Sequence, residues 1–230
     1  MTCYYPAAAI RTATIDGIVV ILDLRSNSYL LLDKTATAMF EVLTTELDHA
    51  VRIERLAARL GTTALVIAAD LRDFSIDCIQ RGLLSTDLPP PMQRSGTTPA
   101  SRPTALALRA WWSLVTTCCR LKWRSLAAAY EACARLPRPV LPAESPAQLL
   151  WRAERAFLIA ENLFPLRRAP RDCLPRSLAL FSFLNSIGIA CGHNIGVIRT
   201  PFTAHAWVEV GGSPVLEQRH DPQYYRLARI

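Results

Sequence analysis

Arg171-Asp172-Cys173-Leu174-Pro175-Arg176-Ser177-Leu178-Ala179-Leu180 is the stretch on which the fold turns. Asp172 stands where a helix N-cap belongs, Cys173 opens the helix, and Pro175 falls in the first turn, where its missing N–H leaves no bond unmade. Further along, Thr203-Ala204-His205-Ala206-Trp207-Val208-Glu209-Val210 alternates as a strand does. His205, Trp207 and Glu209 share one face, and Ala204, Ala206, Val208 and Val210 share the other. A thiol is mostly protonated at neutral pH, but a helix N-terminus and a nearby imidazole both favour the thiolate. Cysteine at a helix start with histidine on a strand is therefore the layout of a nucleophile and its base.

Around this pair the spacing predicts a core helix followed by an antiparallel sheet. Leu174, Leu178, Phe181 and Leu184 lie on one face of the helix, which ends by Gly188. Strands are expected over about 192–199, 204–210 and 213–217, the last after a turn at Gly211-Gly212. Upstream, residues 104–136 are rich in Ala and Leu, carry Trp111, Trp112 and Trp123 among basic residues, and read as one or two amphipathic helices. Such helices pack on their own domain more often than on a membrane. A further helix runs from Ser145-Pro146 to Leu163.

The N-terminal part has a different pattern. Strands over 18–24 and 28–32, each after a turn signal (Asp16-Gly17, Ser26-Asn27), join the apolar stretch before Asp16 in a three-stranded meander. Asp33 can cap a helix carrying Ala36, Met39, Phe40 and Leu43. Helices over 48–60 and 63–81 follow, stopping at Gly61 and Gly82, the second with Ile67, Leu71, Phe74 and Cys78 on one face. Three strands then three helices is a winged-helix-like unit.

Charge divides the chain in the same place. Residues 1–87 hold 8 Lys/Arg and 11 Asp/Glu, net −3; residues 88–230 hold 18 and 8, net +10. A winged helix often binds DNA, yet net −3, with Asp70, Asp73 and Asp77 on the third helix, opposes the phosphate contacts that nucleic-acid affinity needs. The proline-rich stretch 88–103 reads as a linker between domains 1–87 and 104–230. Seven cysteines without a CxxC spacing make neither a disulfide framework nor a zinc site, and no Gly-rich nucleotide motif is present, so no metal or cofactor is expected. No stretch is long and apolar enough for stable membrane insertion, and the start lacks a signal-peptide order, which points to the cytoplasm.

Val20-Ile21-Leu22-Asp23-Leu24-Arg25-Ser26-Asn27-Ser28-Tyr29-Leu30-Leu31-Leu32-Asp33, with Thr35 to Phe40 and Arg81-Gly82-Leu83-Leu84, resembles the PqqD-type precursor-peptide recognition element. That resemblance implies a leader peptide added as a strand along Asn27 to Leu32 beside the third helix, with Tyr29, Leu30, Leu31, Asp70 and Phe74 as candidate contacts. Tyr29 is equally well read as a core residue. Cys173 to Leu180, Asn194-Ile195-Gly196-Val197 and Phe202 to Glu209 resemble the transglutaminase-like leader peptidase of lasso-peptide biosynthesis. The order of the two is that of the single-chain lasso-peptide B proteins. The α+β chain is then a recognition domain joined to a transglutaminase/papain-like cysteine peptidase domain.

The resemblance implies a ribosomal precursor peptide as substrate and an ATP-dependent, asparagine-synthetase-like macrolactam cyclase as partner. It also places the third catalytic residue, usually aspartate, at Glu217. A regular two-residue turn at Gly211-Gly212 would pair His205 with Gln218 and put Glu217 on the opposite face; a bulge would bring it round. Asp221 is the reserve. A transglutaminase-like acyl transferase, a non-catalytic leader-peptide carrier and a regulatory DNA-binding module are the other functions this sequence admits.

Overall fold

The computed structural model describes residues 2–46, 48–88, 97–98, 105–136, 138–139, 146–164, 173–217 and 224–230. The expected linker, apart from Leu88, Thr97 and Thr98, lies outside them, as do Ser145, Asp172, Gln218 and Asp221. The chain separates into two compact units, Met1–Pro91 and Met92–Ile230.

The first unit runs β1 (Tyr5–Pro6), β2 (Ile10–Ile15), β3 (Ile18–Asp23), β4 (Ser28–Leu31), α1 (Lys34–Thr45), α2 (His49–Leu60), α3 (Ala64–Gln80) and β5 (Leu84–Ser85). The strands β2-β3-β4 form one antiparallel sheet in that order. Asp16 and Gly17 both have positive φ, 49° and 71°, as a two-residue hairpin turn with the strands' twist requires. Asp33 caps α1 by accepting the Ala36 N–H at 2.8 Å, and Gly61 ends α2 in the left-handed region. Val19 and Ile21 of the sheet share a core with Phe40 and Leu43 of α1, Leu56 of α2 and Ile67 and Leu71 of α3. The pairing of β1 with β5, which ties the start of the unit to the end of α3, is too short for sequence periodicity to signal.

The second unit runs β6 (Thr97–Thr98), α4 (Leu106–Trp123), α5 (Leu126–Ala134), β7 (Arg138–Pro139), α6 (Pro146–Asn162), α7 (Cys173–Ser186), β8 (Gly192–Ile198), β9 (Thr203–Val210), β10 (Ser213–Pro214) and β11 (Tyr225–Arg229). Its main sheet is antiparallel with order β10-β9-β8-β11. Helix α7 packs against β8 and β9 and also against α4. The sequence predicts a single apolar face for α7, and the helix is instead buried nearly all round. From Ser177 to Asn185 every residue is buried except the half-buried Ser182, because α4 covers the side that the sheet does not. Ser113 of α4 donates to the Ala179 carbonyl at 2.6 Å, and Phe157 of α6 stacks on Phe183 with ring centres 6.1 Å apart. The strand expected over 213–217 ends at Pro214, and no sequence signal marks β11.

Candidate functional site

Cys173 is the first residue of α7, and His205 lies on β9 opposite Gly196 of β8. The thiol and the imidazole lie close enough to shift each other's ionisation. His205 Nε2 is 3.1 Å from Glu217 Oε2, which leaves Nδ1 for the sulfur. Burial pushes the Cys173 thiol up, but the hydrogen bond with His205, the backbone N–H groups of Ala206 and Leu174 and the imidazolium charge outweigh it, so the thiol lies below its ordinary value. Hydrogen bonds with Cys173 and then Glu217 raise His205 to about 9, against the pull of burial. Both shifts move the pair toward thiolate and imidazolium, the charge state a cysteine nucleophile needs. At other cysteines burial is not outweighed, and Cys78 is pushed up to about 11 and Cys191 to about 12.

Glu217 reaches the histidine by a route that neither sequence alternative contained. The Gly211-Gly212 turn is regular, since Val210 pairs with Ser213 and Glu209 with Pro214, and Val215 N–H still donates to the Val208 carbonyl at 2.9 Å. Continued, this register would turn Glu217 away. Leu216 instead adopts φ 56°, and the chain leaves the ladder there. A left-handed leucine costs about 1 kcal/mol or more, and no residue type in the sequence marks it. Asp221, the reserve acid, lies outside the described residues.

Two rings flank the imidazole: Trp207 is nearly parallel to it at 6.0 Å between centres, and Tyr224 lies at 5.4 Å. Trp207 Nε1 donates to Glu209 Oε1 at 2.8 Å, and Arg226 Nη2 donates to both oxygens of Glu209, at 2.9 and 3.1 Å. Glu209 therefore anchors the indole rather than the imidazole. Gly196 makes room for this: a Cβ there would lie 2.8 Å from Trp207 Cη2 and 3.1 Å from Tyr224 Cβ. A cleft of about 730 Å³ opens beside the histidine, lined by Glu154, Leu158, Glu161, Arg176 and Glu217 among others. Sequence reasoning gives no role to Arg176 or Tyr224; Arg176 stands three residues after the cysteine, the one signal it offers.

In the first unit, Tyr29, Leu30 and Leu31 lie on β4, the outer strand of its sheet. Leu30 and Leu31 are exposed and Tyr29 is half-buried. On α3, Asp70 is exposed, whereas Phe74 is half-buried and packs against the core.

A helix-start cysteine against a strand histidine with a carboxylate behind it is the arrangement of a transglutaminase-like protein. The transglutaminase-like superfamily profile matches residues 113–229, about half of the 230-residue chain, and the chain belongs to that superfamily. It is similar to the microcin J25-processing protein McjB of Escherichia coli, 45% identical over 53 residues that make up 23% of this chain and 26% of that protein. The match thus spans about a quarter of the relative's length. The solved structure of TbiB1 in complex with the TbiA(beta) leader peptide is 24% identical, covers 36% of this chain and 98% of its own, and has a TM-score of 0.33. The superfamily match and the processing relative agree with the resemblance to lasso-peptide B proteins.

Proposed function

We propose that the chain binds the leader of a ribosomally made precursor peptide on its first unit and removes that leader by cysteine-dependent hydrolysis on its second. The observation that carries this reading is Cys173 at the start of α7 beside His205, whose Nε2 lies 3.1 Å from Glu217 Oε2. Cys173 attacks the carbonyl at the leader–core junction, and its sulfur bonds to the carbonyl carbon. The His205 imidazolium protonates the leaving amine, and the leader remains as a thioester. His205 then takes a proton from water as water attacks that thioester, releasing the leader carboxylate and the thiolate. Glu217 fixes the imidazole's tautomer and balances its charge. The oxyanion meets the Cys173 backbone N–H at the start of α7.

Three strands followed by three helices support a winged-helix-like, PqqD-type reading of the first unit, with β4 as the edge on which the leader pairs. Stretch 88–103 would tether the two tasks and raise the effective substrate concentration. The freed core would pass to an ATP-dependent cyclase, and the whole sequence of steps belongs in the cytoplasm, where precursors are made. Among the described residues no helix is long and apolar enough to cross a membrane.

Cys173→Ala and His205→Ala should each slow cleavage of the cognate precursor more than about a thousandfold while leaving the affinity for a labelled leader unchanged. The double variant should be no slower than either single one. Mass spectrometry of the products separates hydrolysis from acyl transfer to an amine. Retention of activity by Cys173→Ala would overturn the peptidase reading.

A further inference from the structure

Arg176 makes a fork that the cysteine–histidine–carboxylate run does not account for. Its Nε and Nη2 donate to the two oxygens of Glu161 on α6, at 2.6 and 3.3 Å. Its Nη1 donates to the Leu216 carbonyl at 3.3 Å and lies 4.0 Å from Glu217 Oε1. The Glu217 carboxylate is thus divided, one oxygen toward the histidine and the other toward the arginine. The residue whose carbonyl Arg176 holds is the one whose left-handed backbone turns Glu217 off the ladder. A planar guanidinium clamped at two points is suited to fixing a third, which a lysine's single ammonium is not.

We propose that Arg176 is a positioning residue: clamped to Glu161, it holds Leu216 in the left-handed conformation that carries the Glu217 carboxylate onto His205. The inference rests on the proposed role of Glu217 and adds to it the part that aims the acid. The charged and titratable groups around the imidazole are Cys173 from α7 and Glu217 after β10, with Glu154 and Glu161 of α6 and Arg176 of α7 lining the same cleft, while the rings of Trp207 and Tyr224 flank it.

The test is an NMR titration of His205 in the full chain, which needs no substrate. Loss of a nearby cation by itself raises the pKa of a histidine; loss of the carboxylate partner lowers it. In Arg176→Ala and in the conservative Arg176→Lys the His205 pKa should therefore fall by about one unit or more. Adding Leu216→Gly to Arg176→Ala should raise it again, since glycine takes the left-handed conformation without help. Leu216→Val, β-branched and poorly suited to positive φ, should behave as Arg176→Ala does. An unchanged or raised pKa in Arg176→Lys, or no recovery with Leu216→Gly, overturns the proposal. If wild type failed to cleave precursor, the peptidase reading would fall while this titration kept its meaning.

Discussion

At the scale of the residue, the site is an ion pair made stable by a third group. His205 at about 9 sets the upper pH limit of the imidazolium, and the lowered Cys173 extends the thiolate toward lower pH. Cleavage should rise as the thiol ionises, at a pH below that of an ordinary cysteine, and fall as the imidazolium loses its proton near 9. Glu217→Gln removes the charge and weakens the hydrogen bond that raise the histidine's pKa, so the alkaline limb should move to lower pH by about one unit or more. Glu217→Asp should keep much of the activity. A pH–rate series on the three proteins checks both, and an alkaline limb that does not move in Glu217→Gln would exclude that carboxylate as the histidine's partner.

At the scale of the element, β4 is where backbone direction matters. Leu32 N–H donates to Val19 O at 3.0 Å, so by the alternation of an antiparallel ladder Leu30 also faces β3, while Tyr29 and Leu31 turn their N–H and C=O outward. Leu31→Pro should weaken leader binding about tenfold without unfolding the unit, because it removes only an outward donor. Leu30→Pro should destabilise the unit itself. Fluorescence anisotropy with a labelled leader and thermal melts separate the two effects. The helices and the meander are legible in the sequence because caps, glycine stops and apolar periods are local: Asp33, Gly61 and the Asp16-Gly17 turn all act where their residue types predict. The cysteine and histidine are legible for the same reason, each read from its own element. Arg176, Tyr224 and the turn at Leu216 are not, since each depends on contacts between distant segments that no spacing encodes.

At the scale of the whole molecule, a histidine outside the proposed chemistry makes stability depend on acid. His193 of β8 is fully buried beside Ser177, whose Oγ lies 2.9 Å from its Nε2, and burial lowers its pKa to about 3. As pH falls below the unfolded value of about 6.5, the unfolded chain gains a proton that the folded one refuses until about 3, so stability is lost across that window. Between pH 7 and 5 the His193 contribution to this loss should be about 2 kcal/mol, partly offset by His205, whose raised pKa adds stability as pH falls. Urea denaturation at the two pH values should show a change in stability that differs between wild type and His193→Gln by about 2 kcal/mol; equal changes in both would assign the acid sensitivity elsewhere. The enclosure of α7 between α4 and the sheet has a further consequence, in time rather than in energy. Amide protons in the middle of a helix covered on both sides exchange only when the surrounding unit opens as a whole. Cys173 to Arg176, the half-buried first turn of that helix, should exchange sooner than Ser177 to Asn185, so the nucleophile sits where a rigid helix meets its looser end.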